Sequence, residues 1–177
     1  MQTAAMADRR SVVDRIDAMG DVYAVMSTGL LLLQAPDLRE RLRAADYHQI
    51  GLPRPDGSQV TLKLDAAFAA ADADPAAFTL LYLRTVTAMI VTTVADDLRS
   101  LGHSLADQEP EEFQVLRHLR NAASHGNRFD IRNPNSPAAT FGGLRITPAL
   151  DGAPDVFFDY ATPSLVLDLL QAIKRHL

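Results

Sequence analysis

Between positions 8 and 19, apolar residues recur at spacings of three and four: Val12, Val13, Ile16 and Met19. That period places one buried stripe along a helix. Gly20 predicts a break. A second apolar helix follows from Asp21 to Gln34 and ends ahead of Pro36, because a residue preceding proline is pushed out of helical geometry. Asp37 to Tyr47 predicts a more polar helix with a narrow Leu38/Leu42 stripe and with Arg39, Arg41 and Arg43 facing water. The stretch GLPRPDGS, residues 51–58, is a turn, with two prolines ahead of Asp-Gly. Gln59 to Leu64 alternates and reads as a short strand or the entry to a helix.

Asp74-Pro75 opens the next helix, aspartate as cap and proline at the first helical position. It runs to about Ser100, with Phe78, Leu81, Tyr82, Thr85, Met89, Thr92, Val94 and Ala95 as its buried side and Gly102 as its stop. A further helix starts at Pro110, with Glu111 and Glu112 in the turn where the dipole favours acids. Phe113, Leu116, Leu119, Ala122 and Ala123 form its apolar face, and Gly126 ends it. Leu144–Thr147 and Val156–Tyr160, separated by Asp151-Gly152, predict a hairpin that packs on the helices. A last helix covers Pro163 to Leu177, with Leu165, Leu169, Ile173 and Leu177 at a spacing of four. The expectation is a mainly α, all-helical bundle of four to five main helices, one domain over 1–177, elaborated by a small β hairpin at 144–160.

Composition narrows the chemistry. The 177 residues are 47% hydrophobic and include no cysteine. Disulfides, thiolate zinc sites and cysteine nucleophiles are therefore excluded, which agrees with a reducing cytoplasm. The N-terminal segment has no apolar signal-peptide core, and the most hydrophobic run, Leu30–Leu33, is too short to span a membrane. A soluble, cytoplasmic protein without membrane contact is expected. The net charge of −5 argues against a general nucleic-acid coat. Basic character is local instead: Arg117, His118, Arg120, His125, Arg128 and Arg132 stand against one acid, Asp130.

Within that island lies Arg120-Asn121-Ala122-Ala123-Ser124-His125, on the last two turns of its helix. The arginine–histidine spacing alone carries little: chance gives about 0.4 matches in such a chain, and Arg43/His48, read as surface residues, share it. Requiring asparagine after the arginine lowers the expectation to about 0.01, and only Arg120-Asn121-x-x-x-His125 remains. These residues resemble the Arg-Asn-x-x-x-His signature of HEPN domains. The likeness is close over the motif helix and extends in outline to the long helix before it. It implies a dimeric helical bundle, a metal-independent endoribonuclease of the toxin–antitoxin or defence type, RNA as substrate, no cofactor, and an antitoxin protein as a possible partner. It places Arg120, Asn121 and His125 in the catalytic site. Family toxins paired with nucleotidyltransferase antitoxins often carry a modified tyrosine two residues after the histidine. Here Asn127 stands there, so that mode of control is not implied.

The residue types suit the chemistry. Cleavage through the ribose 2′-hydroxyl needs a proton carrier near neutral pH, which histidine supplies. Arginine offers a permanent fork of donors to phosphate oxygens. A helix C-terminus favours a cation, so His125 suits a general acid or phosphate contact as well as a base. Asn121 lies one turn before it on the same face. Arg117 shares that stripe and, with Arg128 and Arg132, is a weaker candidate for RNA phosphate. Arg120 and His125, however, are five residues apart, about 140° around a regular helix. A shared cleft across a twofold axis would bring copies of both together.

The plain structural alternative pairs Arg120 with Asp96 or Asp97 and lets His125 cap helix carbonyls. A non-catalytic dimerisation or RNA-binding module is the corresponding function. No phosphate-cradling glycine loop and no His-Glu-x-x-His occurs. Asp96-Asp97 and Glu109–Glu112 read as a helix face and a helix start, not as metal ligands.

Overall fold

The computed structural model describes residues 2–47, 49–103, 105 and 110–177. His48 and Glu109 lie outside the described residues. The chain is mainly helical, with two small antiparallel strand pairs. In order these are α1 (Gln2–Leu33), α2 (Pro36–Ala44), β1 (Gln49–Pro53), β2 (Gln59–Lys63), α3 (Asp65–Ala73), α4 (Pro75–Ser100), α5 (Glu111–Ser124), β3 (Ala139–Phe141), β4 (Leu144–Ile146) and α6 (Pro163–Ile173). Two compact units result. One holds the residues up to Tyr23 together with Arg84–Leu177, the other Ala24–Leu83.

In the first unit, α5 is the central helix: Val115, Leu116, Leu119 and Ala122 are each 0% exposed, and it packs against β3 and α6. Val12 and Ile16 of α1, Val86, Ile90, Val94 and Leu98 of α4, and Leu169 and Ile173 of α6 share that core. The buried stripe of α4 differs from the expected one, since Leu81, Tyr82 and Met89 are exposed. A run apolar on every side leaves the choice of buried face to its neighbours. Thr162 caps α6, its hydroxyl accepting from Leu165 N–H at 3.3 Å.

The end of α5 directs the chain that follows. Gly126 (φ 68°) and Asn127 (φ 63°) are both left-handed, and Asn127 N–H reaches back to the Ala122 carbonyl at 2.9 Å. This closes the helix by the left-handed cap that glycine favours. Asn127 then holds a second segment: its carbonyl accepts Val156 N–H at 3.1 Å, and its Oδ1 accepts Phe157 N–H at 2.8 Å. Phe129 exchanges backbone bonds with Gly152 and Ala153. Buried Phe129 and Ile131 complete the anchorage.

The late hairpin is displaced from its predicted place. β3 pairs with β4, Phe141 opposite Leu144, around Gly142 (φ 54°) and Gly143 (φ 86°). Two consecutive positive φ values are what a two-residue hairpin loop needs, so the Gly-Gly pair outranks Asp151-Gly152. Val156–Tyr160 is not a strand but a tight turn with Phe158 at φ 87°, ψ −37°.

Three further expectations are corrected. α1 continues through Gly20 without a break; an isolated glycine costs a helix only about 1 kcal/mol. One consequence is that Arg9–Leu33, like α4, is long and apolar enough to cross a membrane by length and composition alone, a test that core helices of water-soluble proteins also pass. Arg39 does not face water. It is 3% exposed, and its guanidinium binds Asp72 at 2.6 Å and the Leu33 carbonyl. Arg43 binds the other Asp72 oxygen at 2.6 Å and lies 5.4 Å over the Phe68 ring. Gly51–Pro53, read as turn, belongs to β1, whose Ile50 and Leu52 lie opposite Leu62 and Val60 of β2.

Two predictions follow from these contacts. The hydrogen bonds from Arg43, then Arg39, hold the Asp72 carboxyl below its usual value near 3.8. Stability from a lowered carboxyl is complete above that usual value and is lost as pH falls through the lowered one. Asp72→Asn therefore lowers the unfolding midpoint at neutral pH and flattens the acid side of the stability curve; chemical denaturation between about pH 6 and pH 3 measures both. Asn127→Ala strains a left-handed position and strands the Phe157 N–H, a loss of about 2 kcal/mol. Asn127→Gly loses less, because only the side-chain bond goes.

Candidate functional site

The same helix end builds a cavity of about 400 Å³. From α5 come Arg117, His118, Asn121 and His125. From the segment turned back by Gly126-Asn127 come Asp130, Arg132, Asn133 and Ser136. Arg117, Asn121 and His125 follow one another at four-residue steps, so they occupy an arc of about 80° on one helix face.

His125 ends α5, its N–H donating to Asn121 and Ala122 carbonyls at 3.0 and 3.2 Å. Its ring is directed at Asp130, Nε2 to Oδ2 at 3.1 Å. A carboxylate only accepts, so Nε2 carries a proton and, in the neutral ring, Nδ1 is the acceptor. The His125 side chain is 45% exposed, which leaves it open to a ligand. Arg132 Nε also binds both Asp130 oxygens, at 3.2 Å. Buried His118 faces Arg117, with Nη2 to Nε2 at 3.3 Å. Guanidinium has donors only, so the imidazole nitrogen accepts and steadies Arg117 at the wall.

Arg120 is absent from this wall. Its Nη2 binds Asp96 Oδ1 of α4 at 3.4 Å, and Arg99 approaches the same oxygen at 4.0 Å. The neighbouring Asp97 is taken by Arg15 at 3.2 Å. Of the three motif residues, Asn121 and His125 are brought together and Arg120 is turned aside, as a five-residue step requires. Of the weaker candidates, Arg117 and Arg132 line the cavity. Arg128 instead donates to the Gly152 carbonyl at 3.2 Å.

Five lining residues were not among the sequence candidates: His118, Asp130, Ile131, Asn133 and Ser136. Asp130 carried a signal, as the one acid in a basic island. His118 counted toward the charge of that island but not as a site residue, because it lies beside the apolar stripe of α5 and only the fold opens its surroundings. The wall thus combines two arginines and two histidines with one carboxylate, and it favours anions. The chain matches no family model, no curated protein and no solved structure.

Asp130 is the acid that opposes anion binding here. Asp130→Asn is expected to tighten binding of tripolyphosphate about two- to fivefold at low salt, the scale of a partly exposed ion pair. Isothermal titration at two salt concentrations measures it; unchanged affinity would mean that the anion does not enter this cavity.

Proposed function

We propose that the protein is a metal-independent endoribonuclease of a toxin or defence type. The observation that carries the reading is the His125–Asp130 pair beside Asn121, Arg117 and Arg132 on one cavity. A histidine oriented by a carboxylate is the arrangement of an acid–base catalyst. With Nε2 engaged by Asp130, Nδ1 takes the proton of the ribose 2′-hydroxyl. The 2′-oxygen attacks phosphorus, the bond to the 5′-oxygen breaks, and that oxygen takes a proton from water in the open cavity. The products are a 2′,3′-cyclic phosphate and a 5′-hydroxyl. Arg117 and Arg132 oppose the charge that gathers on the phosphate oxygens, and Asn121 supplies a further donor.

Arg120 enters this scheme through a second copy of the chain, or by leaving Asp96. The resemblance to HEPN domains supports a homodimer with a composite site, cytoplasmic RNA as substrate and an antitoxin protein as regulator. The Arg120–Asp96 pair favours the second reading, a non-catalytic RNA-binding or dimerisation module, since it occupies the motif arginine structurally.

Incubation with mixed RNAs in EDTA separates the two. The wild type is expected to leave cyclic phosphate ends, and His125→Ala to lose about 100-fold or more in rate, the usual worth of acid–base catalysis. Robust cleavage by His125→Ala removes the mechanism. Tight RNA binding without cleavage by wild type, Arg120→Ala or His125→Ala establishes the module.

A further inference from the structure

A second groove in the same unit, of about 660 Å³, lies between the β3–β4 turn and the Val156–Tyr160 turn. Leu150 and Leu165 give it an apolar floor, while Arg145, Asp159 and Tyr160 supply its polar groups. Tyr160 is 36% exposed. Arg145 and Asp159 are exposed and form no ion pair among the described residues. An aromatic ring, an acceptor pair and a forked donor thus line one groove, and neither charged group is ion-paired among the described residues.

The backbone holds this arrangement under strain. A positive φ at an aromatic residue is an outlier, yet Phe158 adopts φ 87°. Its N–H donates to the Ala161 carbonyl at 3.0 Å, and Ala161 N–H to that of Val156 at 2.9 Å. Val156, Phe157 and Ala161 are buried and fix the turn from below. The strained residue therefore presents Asp159 and Tyr160 outward, and such strain concentrates at functional sites. The other bank is equally set. Gly142 and Gly143 turn it with positive φ, and Arg145 is on the outward side of β4 between buried Leu144 and Ile146.

One ring contact lies between the groove and the segment that carries Asp130. Tyr160 rests edge-on against Phe129, ring centroids 5.3 Å apart, and the residue after Phe129 is Asp130, the partner of His125. Along this segment Phe129 is buried while Asp130 lines the cavity.

We infer that this groove is a subsite for an unpaired guanine of single-stranded RNA, in the same unit as the His125 cavity. The assignment rests on the RNA reading above and adds the base. Unpaired bases are read by stacking on aromatic rings and by hydrogen bonds on their Watson–Crick edge. Tyr160 provides the stacking face. Asp159 only accepts, and guanine presents two adjacent donors, N1–H and the N2 amine. Arg145 suits the phosphate next to the base.

The test measures binding in EDTA by fluorescence anisotropy, using labelled heptamers UUUGUUU, UUUAUUU and UUUUUUU made with 2′-O-methyl ribose so that no cleavage occurs. The guanine heptamer is expected to bind tightest. Tyr160→Ala weakens it about tenfold, within the range for loss of one stacked base, and Tyr160→Phe keeps wild-type binding. Asp159→Asn erases the preference for guanine; this side chain is exposed, so the result stands even if Tyr160→Ala does not fold. His125→Ala retains the preference. Equal binding of the three heptamers by the wild type, or a guanine preference that survives Asp159→Asn, overturns the subsite. An RNase that cleaves through His125 but shows no such preference leaves the proposed function standing and this inference void. A guanine preference without cleavage leaves the subsite standing and removes the nuclease.

Discussion

The left-handed pair Gly126-Asn127 is the constraint on which the site depends. α5 could not continue past His125 without carrying the following residues away from its own face. The cap stops the helix, reverses the chain and sends Asp130 and Arg132 back beside Asn121 and His125. It also commits Asn127 to Val156 and Phe157. One local conformational choice thus sets the orientation of a histidine, the position of its carboxylate and the anchorage of a strained turn. Core packing supports this arrangement but does not select it, because the apolar face of α5 is satisfied whichever way the chain leaves.

Much of the helical plan is legible in the sequence because helices announce themselves locally. The Asp74-Pro75 start is present as read, with Asp74 Oδ1 accepting Ala77 N–H at 3.0 Å. The Glu111-Glu112 turn and the Gly126 stop are likewise local events. What failed depended on distant residues. Arg39 looks like a surface arginine until α3 brings Asp72 to it. The long helix is apolar on all sides, so its pattern does not say that Val86, Ile90 and Val94 face the core while Met89 does not. The hairpin was misplaced because two glycine turns competed, and only the Gly-Gly pair has a partner strand on each side.

The site shows the same division. A motif records spacing, and helix geometry converts spacing into direction. Asn121 and His125, four apart, face one cavity, whereas Arg120 faces Asp96. The charge island was legible as a sum, and the pairing of Arg120 with Asp96 was open to the sequence as the plain structural alternative; the cavity wall made by the remaining residues was not. His118 is the clearest case, since a histidine embedded in an apolar helix has no sequence feature that distinguishes core from cavity lining. Asp130 differs from its basic neighbours by sign, and it is the residue that orients His125.

Between residues 130 and 136 only Ile131 is buried. The rest of that segment carries cavity groups without carrying the core. The helix side differs: His118 is buried on α5, whose Val115, Leu116, Leu119 and Ala122 belong to the core. One wall is therefore free to diverge among descendants of this sequence while the other is held by packing. Selectivity for a ligand can drift by substitution at Asn133 or Ser136, neither of which is in the core.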